Sequence, residues 1–148
     1  ARYGKSDFEQ RNHALRALMS IYGVELLDDN VAECRSNLLG AFSEFVSVAA
    51  GDELFAAARQ VLAINIVHGD ALTMRTQTPK QEAITFAEWS YLGKGQFHRR
   101  DFRFDTLTHM SAFSEEATLF ADAGKHEIFS PVKEHGTLSV ADIARGKQ

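Results

Sequence analysis

The sequence predicts an all-α fold, a compact bundle of about five to seven helices with a central apolar helix over residues 52–68. Three observations lead there. Apolar residues recur every three or four positions from Phe8 to Leu92. Only two prolines occur in 148 residues, so little interrupts a helix. Eleven phenylalanines supply bulky core material.

Ser6 and Glu9 match a capping box, and Leu15, Leu18, Met19 and Tyr22 continue the period, which predicts a first helix over 7–26. Asp28-Asp29-Asn30 is a polar break rich in N-cap residues. A second helix then runs over 31–50, with Val31, Cys34, Leu38, Phe42, Phe45, Val46 and Ala49 as its apolar stripe and Gly51 beyond its end. The third, over 52–68, is apolar almost all round, which places it at the centre. Residues 70–77 alternate weakly and read as a loop. Thr78-Pro79-Lys80-Gln81 combines a cap, a first-turn proline and a capping-box glutamine, so a fourth helix is expected up to Leu92. Shorter helices are expected over 105–112, 114–123 and 139–144. Neither a linker nor a repeat is visible, so residues 1–148 read as a single helical domain. Its core is expected to contain Leu18, Leu38, Phe42, Phe45, Leu54, Val61, Leu62, Ile66, Phe86 and Trp89.

The net charge of −4 offers no global attraction to nucleic acid or to an anionic membrane. No stretch is apolar for the length of a membrane span, and the first residues lack the apolar core of a secretion signal. One cysteine, Cys34, precludes a disulfide within the chain, which points to the cytoplasm. Its place on the apolar stripe of the second helix predicts a buried, inert thiol.

Catalytic residues are not indicated: a nucleophile elbow, a phosphate-binding glycine loop and a dinucleotide fingerprint are all missing. His126-Glu127 and Glu134-His135 flank Ser130-Pro131, but their spacing follows no zinc signature, so no metal is expected. His68 and His98 are spaced like the two haem-side histidines of globins, with Phe42 and Phe45 upstream. The arginine-rich stretch after His98 and the breaks at Gly124, Pro131 and Gly136 replace the long apolar helices such a pocket needs, and no cofactor is expected. His68 instead suits the C-terminal end of a helix.

The conspicuous segment is 94–104, where Arg99, Arg100 and Arg103 interleave with Phe97, Phe102 and Phe104. Cationic and aromatic residues in alternation can grip phosphates and stack bases. Asp101 and Asp105 dilute that charge.

Two stretches carry likenesses to known families. The helix over 52–68, the His68-Gly69-Asp70 break and the helix bearing Glu82 and Leu92-Gly93 give a resemblance to tellurite-resistance TerB-type domains. The resemblance implies a helical fold there, and its acidic loop is not reproduced, so it brings no site residue. Leu138 to Arg145 resembles the opening of a helix-turn-helix, without the recognition helix that reads DNA. The expected function is a non-enzymatic interaction module that self-associates or binds a protein partner. The alternatives are nucleic-acid or phosphate binding through segment 94–104, and a small cofactor-dependent enzyme or haem or metal sensor.

Overall fold

The computed structural model describes residues 2–107 and 130–147, with side chains from residue 7 onward. The expectation of an all-α bundle of five to seven helices is corrected: the chain is mixed α/β, with two three-stranded sheets among the described residues. Helix α1 (Arg2–Met19) leads to strand β1 (Gly23–Glu25), then come helices α2 (Asp28–Val46) and α3 (Glu53–Asn65) in succession, and strands β2 (Ile66–Asp70) and β3 (Arg75–Thr76) follow. A long hairpin of β4 (Thr85–Gly93) and β5 (Gln96–Arg103) comes next, then β6 (Lys133–Ser139) and α4 (Val140–Ala144). Residues 104–107 are helical at the edge of the described region, and the expected helix over 114–123 lies outside it.

In the first sheet β2 lies between a parallel β1 and an antiparallel β3. The α2–α3 pair forms the crossover that a parallel neighbour requires. In the second sheet β5 lies between β4 and β6, antiparallel to both. The main core joins α1, α2, α3 and α4 to one face of this sheet through Leu15, Leu18, Leu54, Val61, Leu62, Phe97, Leu138 and Ile143.

The helix read over 52–68 stops at Asn65. Its last residues, Ile66 and Val67, are β-branched and pair with β1 instead. Asn65, fully buried, fixes the switch: its Nδ2 donates to the carbonyls of Met19 (2.9 Å) and Ile21 (3.1 Å). The first helix likewise stops at Met19, and His68 sits in β2 rather than on a helix end.

The helix expected over 78–92 is also corrected, and with it the helical fold that the TerB-type resemblance implied. Thr78 to Gln81 form a tight turn closed by Gln81 N–H to Thr78 O (2.9 Å), with Gln81 at φ 47°. Beyond it β4 is extended. Lys94 (φ 53°) and Gly95 (φ 72°) join β4 to β5 as the two central residues of a primed turn, whose twist suits a tight hairpin.

Helix α2 buries a narrower stripe than its apolar residues suggest. Val31 and Phe42 are buried, while Arg35 occupies the same face and donates from Nε to the Ile66 carbonyl (3.1 Å). Cys34 and Phe45 lie one step off that face. Cys34 is exposed, not a buried thiol, and Phe45 is 71% exposed, not core.

Asp52 caps α3 by accepting from Leu54 N–H (2.8 Å), and Arg11 donates to both of its carboxylate oxygens. The Leu54 amide first, and then Arg11, hold the Asp52 carboxyl below its usual value. A depressed folded-state value means that this stabilisation is complete above the unfolded value of about 4 and fades as pH falls through the lower folded value. Asp52→Ala is therefore expected to cost about 1 kcal/mol near neutral pH, and less in acid, in urea unfolding at the two pH values.

Candidate functional site

Strand alternation separates the residues of segment 94–104 onto two faces. Phe97, Arg99 and Asp101 face inward, opposite Tyr91, Trp89 and Ala87 of β4. His98, Arg100 and Phe102 face outward, opposite Ser90, Glu88 and Phe86.

The inner face carries a continuous polar network. Arg99 donates from Nε (2.8 Å) and Nη2 (3.0 Å) to the two oxygens of Asp101. His135 Nε2 lies 2.8 Å from Asp101 Oδ2. An ionised carboxylate only accepts, so Nε2 carries the proton. Nδ1 is buried without a hydrogen-bond partner among the described residues. The Arg99 guanidinium stacks 5.4 Å from the Trp89 ring centre, and Trp89 Nε1 donates to Asn65 Oδ1 (3.1 Å). The chain of contacts thus runs from β6 across the sheet to α3 and, through Asn65, to the end of α1. A bulge at Gly136 sets the register that puts His135 opposite Arg99.

The outer face carries an aromatic cleft of about 440 Å³, a volume typical of ligand and anchor sites. Tyr22 packs edge-on against Phe86 (5.4 Å between ring centres), and Phe86 edge-on against Phe104 (5.1 Å). Phe102 and Leu107 complete the apolar wall, with Glu88 at its rim. The backbone fixes this wall: Phe104 N–H donates to Ile84 O (2.8 Å), and the Tyr22 hydroxyl donates to Ala87 O (2.6 Å). Burial first, and then the Glu88 charge, push the Tyr22 phenol above its usual value, which keeps it a donor at neutral pH. Glu88 is itself paired with Arg100, whose guanidinium lies 5.4 Å from the Phe102 ring centre.

Of the six residues singled out in segment 94–104, the fold brings Arg100, Phe102 and Phe104 around the cleft. Phe97 is fully buried in the core and Arg99 lies in the inner network. Arg103 donates from Nε to Asp105 Oδ1 (3.0 Å). Each of the three arginines is paired with a carboxylate. Tyr22, Glu88 and Leu107 were not legible as site residues, because the hairpin register places Glu88, the hydroxyl bond to Ala87 O brings in Tyr22, and the helical turn after β5 brings in Leu107. Of the two histidine–carboxylate pairs, His126-Glu127 lies outside the described residues, and Glu134-His135 lies in β6. No group of three potential metal ligands gathers among the described residues. No described helix is long and apolar enough to cross a membrane.

The fold and the cleft define a mixed α/β domain with an aromatic recess on one sheet face. No protein-family model matches the chain. The searches of curated proteins and of solved structures likewise found no match.

Proposed function

We propose that this chain is a non-catalytic binding domain that takes a large apolar side chain of a protein partner into the outer-face cleft. The observation that carries this reading is the cleft itself: a wall of edge-to-face aromatics, fixed by backbone hydrogen bonds and rimmed by the Glu88–Arg100 pair. An apolar centre with a charged rim is the anatomy of an anchor pocket in a protein interface. A wall held in place before binding loses little entropy when it is filled.

A second copy of the chain offers anchors of the right kind. Leu72 is 93% exposed on a turn held by Asp70, whose Oδ1 accepts from Leu72 N–H (2.8 Å), and Phe45 is exposed on α2.

The test is selection of displayed peptides on the immobilised protein, followed by their binding to Leu107→Lys. Leu107 is 37% exposed at the lip of the cleft, so the variant is expected to keep the wild-type melting midpoint. Enriched peptides are expected to share a Trp, Phe or Leu anchor and to bind the variant roughly tenfold more weakly, about 1.4 kcal/mol. Sedimentation in which both Leu72→Asp and Leu107→Lys weaken self-association would identify the partner as a second copy. Peptides without an anchor preference, or with equal affinity for the variant, would contradict the reading. Salt-sensitive nucleic-acid binding abolished by Arg100→Ala with Arg103→Ala would favour the phosphate-binding alternative instead.

A further inference from the structure

Between α3, α4 and the inner face of the second sheet lies a smaller recess of about 100 Å³. That is room for several water molecules or for a small organic acid. Three polar side chains meet it, those of Arg99, Gln60 and Lys147. Arg99 spends Nε and Nη2 on Asp101 and is stacked on Trp89, so its plane is fixed, while Nη1 has no hydrogen-bond partner among the described residues. The Gln60 amide, also on the wall, has none among them either. Lys147 reaches Asp142 at 3.5 Å and stays 69% exposed. The rest of the wall is apolar, from Ile64, Leu138 and Ile143.

We propose that this recess binds a short aliphatic monocarboxylate. The carboxylate accepts from Arg99 Nη1 and from the Gln60 amide, with Lys147 at the mouth, and the alkyl tail lies against Ile64, Leu138 and Ile143. The local charge favours a monoanion. Arg99 is already balanced by Asp101, and Lys147 faces Asp142, so a multiply charged phosphate would meet two neighbouring carboxylates. Phosphate also has nothing to cover the apolar wall. The guanidinium is held in place by Asp101 and Trp89 before any ligand arrives, which spares the ordering cost of a free arginine side chain.

The test is titration of the full chain with sodium butyrate, followed by the emission and the indole N–H resonance of Trp89, the only tryptophan in the sequence. A saturable response with a dissociation constant of about 1 mM is expected for so small a ligand. Gln60→Leu and Lys147→Met are each expected to weaken it roughly tenfold, about 1.4 kcal/mol, without moving the unfolding midpoint of the ligand-free protein. Neutral butyramide and inorganic phosphate are expected to give no saturable response. A response to butyramide or phosphate equal to that of butyrate would overturn the proposal, as would the absence of saturation or wild-type affinity in both variants. The recess and the aromatic cleft lie on opposite sheet faces, so Leu107→Lys should leave butyrate binding unchanged, and each site can fail without the other.

Discussion

Asp101→Ala is expected to destabilise the protein by about 3–5 kcal/mol, the cost of breaking a buried ion pair from one side. The Asp101 side chain is 11% exposed and holds Arg99 and His135 together, and their side chains are only 13% and 1% exposed. Without the carboxylate a guanidinium and an imidazole N–H stay buried with no acceptor. The ties from β5 to β6 and from Arg99 to Trp89 loosen together. Asp101→Asn keeps the shape and one acceptor oxygen, so it is expected to cost less than the alanine variant. Urea unfolding of the two variants beside wild type measures both numbers. An alanine variant within about 1 kcal/mol of wild type would mean that the network does not bind the sheet.

Leu62→Asp is expected to abolish cooperative folding. Leu62 is 1% exposed in the middle of α3, within the cluster that joins α1, α2, α3 and α4 to Phe97 and Leu138 of the sheet. The substitution removes apolar burial worth about 2–5 kcal/mol and places an unpaired carboxylate in the same volume. The sum approaches the whole stability of an ordinary domain. Thermal unfolding followed by circular dichroism is expected to lose its sigmoidal transition. A soluble variant with an unchanged midpoint would remove α3 from the core.

The centre of this core was legible in the sequence, and its rim was not. The apolar circumference read over 52–68 marks the core, though the helix itself ends at Asn65, and Leu18, Phe42, Leu54, Val61, Leu62 and Ile66 are buried as expected. Ser139 also starts a short helix, where it and Asp142 form a capping box. The error at the end of α3 has a long-range cause. Ile66 and Val67 continue the apolar run, and only the bonds of Asn65 to Met19 and Ile21 turn that run into a strand.

Strand β4 resembles a helix in sequence for a different reason. Strand alternation shows only when one face is polar. Here Ala87, Trp89 and Tyr91 face inward, while Phe86 and Leu92 stand among the outward residues, so apolar positions fall at helical spacing by coincidence. The capping signal at Thr78-Pro79 serves a turn instead. The informative signal was Lys94-Gly95, two residues with positive φ between Tyr91 and Phe97, which marks a hairpin better than it marks a helix end.

Segment 94–104 stood out in the sequence for its chemistry, but its division into two faces depended on that hairpin. Once it is a strand, Arg99 and Asp101 belong to a buried network and Arg100 and Phe102 to an open cleft. Phe86 and Trp89, neighbours on the expected helix, end on opposite faces and serve different sites.

In the proposed binding mode the outer face receives an apolar anchor while the inner face stays closed to it. The direct measurement is a backbone and indole N–H correlation spectrum recorded during titration with a selected, anchor-bearing peptide. The resonances of Phe86, Glu88, Arg100, Phe102 and Phe104 are expected to shift together and saturate, while the Trp89 indole and the amides of Asn65 and His135 hold their positions. Shifts centred on Trp89 and Asn65, with the outer-face residues unmoved, would contradict it.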